Sequence, residues 1–168
     1  MGAQFDTLQI SNACAKLAQI LITNKLSLAT AESCTGGMIS AACTDLAGSS
    51  VWFERGFVTY SNAAKSDMLG VPAALIEQHG AVSEEVARAM AQGALVNSKA
   101  DWSVAVTGIA GPTGGSASKP VGTVCLAWAC KSTGLCEAQR HVFPGDRQAV
   151  REATVGLALS HLAELLAL

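Results

Sequence analysis

The stretch TAESCTGG, Thr30 to Gly37, sets Ser33, Cys34 and Thr35 side by side ahead of Gly36 and Gly37. A hydroxyl or thiol becomes a useful nucleophile when a base takes its proton or its pKa is depressed. Cys34 has a route to the second condition, because a thiol near a helix N-terminus is acidified. Lys65 offers the first. With Asn62 as N-cap, Lys65 falls at the third position of a short helix to Leu69, where the helix dipole opposes an ammonium group. Burial there would lower its pKa further and leave a neutral amine able to accept a proton. The same residue also reads as an exposed lysine whose charge is eased by Asp67.

Tyr60 ends a strand five residues before Lys65, within reach of the same pocket or simply packed in the core. Arg147, near the start of the last helix, suits a phosphate or carboxylate, or solvent. Arg151, one turn on, reads as a surface charge. The loop GIAGPTGGSASKPVG has neither the spacing of a dinucleotide fingerprint nor the ending of a P-loop, yet it can expose several backbone N–H groups to an anion or polar ring. No G-x-S-x-G elbow is present. His79, His141 and His161 have no nucleophile partner in sequence, and His79 reads as a helix C-terminal residue.

Three of these segments, AESCTGG, VTYSN and VTGIAGPTGG, close apolar strand-like runs, and open α/β sheets bind ligands beyond the carboxyl ends of their strands. The runs alternate with helical spacing. Ile10, Ala13, Cys14, Leu17 and Leu21 predict a helix over Thr7–Asn24. LSLATAES reads as a strand, Gly36 and Gly37 open a helix through about Leu46, and VWFERGFVTY reads as a strand stopping near Tyr60. Pro72 and Gly80 bracket a further helix, and Ser83 with Glu84 and Glu85 starts another to about Ser98. DWSVAVTG is a strand. GTVCLAWAC and LCEAQRHVF form an antiparallel hairpin around KSTG, and an amphipathic helix follows GDRQ. The pattern predicts an α/β fold, a three-layer α/β/α sandwich with a mixed sheet, formed by residues 1–168 as one domain.

The composition fits. Half of the 168 residues are apolar and 14% are charged, which argues against disorder. A formal net charge of −2 without a basic run gives no footprint for nucleic acid or an anionic membrane. MGAQFDTLQI lacks the basic start and apolar core of a signal peptide, and no apolar run is long enough to span a membrane. Six cysteines without CxxC or Cys/His spacing read as reduced core thiols, with no metal and no cofactor expected.

AESCTGG, GSSVWFERGFVTYSNAAK, GAVSE and GIAGPTGGSASKPVGTV, met in that order and followed by PGDRQAV, resemble the C-terminal domain family of the competence/damage-inducible CinA proteins, in particular its stand-alone amidases. The resemblance covers nearly the whole chain. It implies hydrolysis of the carboxamide of nicotinamide mononucleotide to nicotinic acid mononucleotide and ammonia, in pyridine nucleotide recycling, by a metal-free serine–lysine mechanism in a cytoplasmic homodimer. Carried over residue by residue, it places the nucleophile in GSS at Ser50, the base at Lys65 and an assisting hydroxyl at Tyr60. Glu32, Ser33, Thr107 and Arg147 take substrate-pocket positions, with Gly108, Ala110 and Gly111 of the GIAG loop. Ser33 remains the reserve nucleophile. A non-catalytic nucleotide-binding module of the same fold is the competing reading.

Overall fold

The computed structural model describes residues 4–168; the first three residues of MGAQFDTLQI lie outside the described residues. The elements run α1 (Thr7–Asn24), β1 (Leu28–Glu32), α2 (Met38–Thr44), a 3-10 turn (Ser49–Val51), β2 (Phe53–Val58), α3 (Asn62–Leu69), α4 (Ala73–His79), α5 (Glu84–Val96), β3 (Trp102–Gly108), β4 (Thr123–Cys130), β5 (Cys136–Val142) and α6 (Arg147–Leu166). The five strands form one mixed sheet in the order β2-β1-β3-β4-β5. β2, β1 and β3 are parallel, and β3, β4 and β5 are antiparallel.

The two-residue period of the strands divides the core into two layers. Leu28, Val104, Val106, Val124, Leu126 and Trp128 face the helices α1, α2 and α6. Ala29, Ala31, Ala105, Cys125, Ala127 and Ala129 face α5 with α3 and α4. The second face is almost all alanine, so α5 packs close to the sheet. α3 packs close to α5 in turn, because Gly93 leaves room where a Cβ would collide with the Leu69 carbonyl. Side-chain caps start α1, α3, α5 and α6, whereas α2 and α4 begin at Gly37 and Pro72 without one. Asp6 forms a capping box with Gln9, and Ser83 and Asp146 accept from the amides three residues on. For α3 the cap is Ser61, whose hydroxyl accepts from Ala64 N at 3.0 Å, and Asn62 is the first helical residue. Lys65 is therefore one position deeper than the expected cap at Asn62 would place it.

β1 connects through α2 to β2 on one side, whereas the crossover from β2 through α3, α4 and α5 lands on β3 at the other side of β1. The crevice between β1 and β3, outside their carboxyl ends, is the switch point at which open α/β sheets take ligands.

Candidate active site

At that switch point a pocket of about 220 Å³ is lined by Ser33 and Cys34 after β1, Tyr60 and Asn62 after β2, and Lys65 of α3. Ala81 and Val82, Thr107, Gly108 and Ala110 at the end of β3, and Arg147 of α6 complete it. The three polar strand ends singled out from sequence thus meet at one place. Glu32 and Ser50 are not among its lining residues.

Lys65 is 1% exposed and its Nζ lies 3.0 Å from Ser33 Oγ, 3.0 Å from Thr59 O and 3.3 Å from Tyr60 O. Among the described residues no carboxylate lies within ion-pair distance of it, and Asp67 is exposed to solvent. Burial without a counter-charge pushes the Lys65 pKa below the usual lysine value. The partners also specify what a neutral amine would do. Two carbonyls can only accept, so they take the two N–H bonds of an amine and leave its lone pair for the third partner. That partner is the Ser33 hydroxyl, which then donates to nitrogen. Ser33, at the turn after β1, is 7% exposed, and its other contact is Tyr60 O at 3.4 Å.

Ser50 is placed elsewhere. It sits exposed in the 3-10 turn before the amino end of β2, whereas Tyr60 and Lys65 follow the carboxyl end. The six residues of β2 separate them by about 20 Å at the usual rise per strand residue. The expected pairing of Ser50 with Lys65 is therefore corrected: the hydroxyl facing this lysine is that of Ser33.

Glu32 also departs from its expected place in the substrate pocket. Neighbouring strand residues point to opposite faces, and Glu32 turns under α2, fully buried. Oε1 accepts from Thr35 Oγ1 at 2.6 Å and Ile39 N at 2.8 Å; Oε2 accepts from Ser40 N at 3.0 Å and Ser40 Oγ at 2.9 Å. All four of these bonds go to the turn after β1 and the first residues of α2. Gly36 and Gly37 complete that turn at φ +57° and +106°, a region closed to most side chains.

Tyr60 takes part through its backbone. Its carbonyl accepts from Lys65, while its phenol is at the exposed mouth, 3.3 Å from an Arg147 nitrogen, rather than on the Ser33–Lys65 pair. The same arginine donates to Gly111 O at 2.8 Å, so it ties the GIAG loop to the rim and keeps a cation at the opening. Thr107 is buried and donates to Ala81 O at 2.9 Å, joining the loop before α5 to the end of β3. Gly108 and Ala110 line the pocket, whereas Gly111, expected there too, is not among its lining residues and is joined to it only through the Arg147 hydrogen bond to its carbonyl.

Cys34 is not acidified. It is 5% exposed, and burial pushes its thiol up to about 12. All six cysteines are free, and five of them are buried. Among the described residues, no group of three His, Cys, Asp or Glu is arranged to hold a metal ion, and no helix is long and apolar enough to cross a membrane. Sequence reasoning missed Ala81 and Val82 as lining residues, and it read Arg151 as a surface charge, whereas this arginine is half-buried and donates to Cys34 O and Thr35 O. The distance of 116 and 117 residues between those partners left no local signal.

The chain is 52% identical over 156 residues to the nicotinamide-nucleotide amidohydrolase PncC of Pseudomonas putida, covering 93% of this chain and 96% of that protein. It is 51% identical to the protein of the same name in Escherichia coli K12, covering 88% of each. The crystal structure of the competence/damage inducible protein CihA from Agrobacterium tumefaciens superposes with a TM-score of 0.92 at 44% identity, covering 99% of both chains. The profile of the CinA C-terminal domain matches residues 11–166, and the chain belongs to the CinA C-terminal domain family.

Proposed function

We propose that residues 1–168 form one amidase domain that hydrolyses the carboxamide of nicotinamide mononucleotide, with Ser33 as nucleophile and Lys65 as general base. The observation that carries this reading is the 3.0 Å approach of buried, unpaired Lys65 Nζ to Ser33 Oγ in a pocket at the sheet's switch point. The names of the relatives support the substrate.

Neutral Lys65 takes the Ser33 proton as Oγ bonds to the amide carbon. The tetrahedral adduct collapses as its C–N bond breaks, and Lys65 returns the proton to the leaving nitrogen, which departs as ammonia. Water, deprotonated by the same amine, then cleaves the ester on Ser33 to give the acid and restore the hydroxyl. The lysine supplies the base, so the cycle needs no metal. A volume of about 220 Å³ is below the ~300–1,000 Å³ usual for whole ligands. The pocket suits the nicotinamide ring, with ribose and phosphate extending over the rim, where Arg147 supplies the cation for the phosphate. A cytoplasmic homodimer serving pyridine nucleotide recycling belongs to the same reading and rests on the family resemblance.

The test is ammonia release from nicotinamide mononucleotide in EDTA by the wild type, Ser33→Ala and Ser50→Ala. Wild type and Ser50→Ala are expected to turn over alike, and Ser33→Ala to lose about 10³-fold or more. Loss in Ser50→Ala with Ser33→Ala active would return the nucleophile to Ser50. No release by the folded wild type would favour a nucleotide-binding module.

A further inference from the structure

Arg151 has no part in the chemistry so far. It lies one helical turn beyond Arg147 on α6, and its guanidinium reaches back to the turn after β1. Nε donates to Cys34 O at 3.1 Å and Nη2 to Thr35 O at 3.2 Å. Among the described residues no carboxylate is paired with it. An ideal Cβ at Gly36 would lie 3.7 Å from its Nη2, so the arginine covers the turn.

That turn carries Ser33. Ser33 O accepts from Gly36 N at 3.0 Å. In a trans peptide the C=O and N–H point in opposite directions, so the Cys34 N–H points away from the turn's interior. Among the described residues this amide donates to no other residue, its only polar neighbour being its own thiol, and Cys34 lines the pocket beside Ser33. An unpaired N–H directly after a nucleophilic serine is where a developing oxyanion finds a donor. The plane that follows, Cys34 C=O, is the one Arg151 grips.

We infer that Arg151 is a positioning residue: its grip on two consecutive carbonyls holds the Ser33 turn so that the Cys34 amide serves as an oxyanion donor while Ser33 Oγ stays aligned with Lys65. The inference rests on Ser33 being the nucleophile. Arg151 neither lines the pocket nor bonds to Lys65, so its loss changes the rate of the chemical step and leaves the lysine's titration alone.

The experiment compares wild type, Arg151→Ala and Arg151→Lys, the last keeping a charge but not the fork. Turnover, the pH profile, melting and the rate of Ser33 labelling by a fluorophosphonate are measured in parallel. Both variants are expected to lose about 100-fold in kcat, the size of effect a misplaced reacting group produces. KM and the pH midpoint hold, and guanidinium ion at low concentration restores part of the Arg151→Ala rate. Unchanged kcat, a loss confined to KM, or a fall in Arg151→Ala that follows unfolding while Arg151→Lys is fully active would overturn the assignment. If the wild type releases no ammonia, the amidase reading fails by itself. The labelling rate then still decides: slower labelling of folded Arg151→Lys supports the clamp, and equal labelling refutes it.

Discussion

Lys65→Met keeps most of the buried aliphatic length of the side chain and removes its nitrogen. In the native protein that nitrogen is held by Thr59 O and Tyr60 O, faces Ser33 Oγ and has no counter-charge. Loss of the general base is expected to lower kcat by about 10²–10⁴-fold. In the wild type kcat/KM should rise with pH as the amine of the free enzyme loses its proton, with a midpoint below the ordinary lysine value of 10.5. Stability carries a second signature. Burial lowers the folded-state pKa, so between that value and 10.5 the unfolded chain binds a proton that the folded chain lacks. Unfolding free energy then rises with pH in this window, by at most about 1.4 kcal/mol per pH unit. Below the folded-state pKa both states are protonated, the slope disappears and the penalty of burying the charge is fully present. Methionine carries no such penalty. Its stability relative to wild type should be highest on the acid side of the window and should decline as pH approaches 10.5. Thr59 O, left unpaired, costs about 1–3 kcal/mol, whereas Tyr60 O keeps the Ser33 hydroxyl as a donor. That cost moves the whole curve without changing its slope. Urea unfolding of both proteins across a pH series measures the difference. A difference that does not vary with pH, together with a kcat loss under about tenfold, would refute the base assignment.

Tyr60→Phe removes the phenol that meets Arg147 and leaves the carbonyl that holds Lys65. Steady-state kinetics should show kcat within about fivefold and a KM for the mononucleotide raised by up to about tenfold, the worth of one hydrogen bond; a 100-fold fall in kcat would instead favour a proton relay through the hydroxyl. Glu32→Gln should destabilise by about 3 kcal/mol in urea unfolding, because either orientation of the amide sets its NH₂ against Ile39 N–H or Ser40 N–H. A change below about 1 kcal/mol would mean that the turn does not depend on the carboxylate.

The frame of the fold was legible because local signals agreed with one another. The apolar period predicted Thr7–Asn24, matching α1, and Ser83 with two acids marked the start of α5. The polar ends of the first three strands pointed to one pocket, and the pocket is there. Lys65 stood out by its place early in a helix, although the cap is one residue earlier and the lowered pKa comes from burial, with the side chain led under the ends of β1 and β2. Cys34 failed as an acidified thiol for a related reason. Proximity to a helix start says nothing about desolvation, and desolvation dominates once the thiol is sealed beneath the loop.

The misplacement of Ser50 was not beyond sequence reasoning. A strand over VWFERGFVTY already places Ser50 and Tyr60 at opposite ends of that strand, so Lys65, after its carboxyl end, stands far from the Ser50 hydroxyl of the same chain. The alternation of a strand likewise forbids Glu32 and Ser33 from facing the same pocket, so one of them had to be structural. The carboxylate, with four acceptor positions, suits a helix-bearing turn, and the hydroxyl suits a buried amine that has room for one proton donor. What no local rule supplies is the long-range closure: Arg151 on the last helix holding a turn formed after the first strand. That contact exists only because α6 packs beside α2 on the face of the sheet opposite Lys65, so the Ser33 turn is gripped from one face while its hydroxyl meets the amine on the other. A hydroxyl held from both faces of a sheet is a property of the assembled layers.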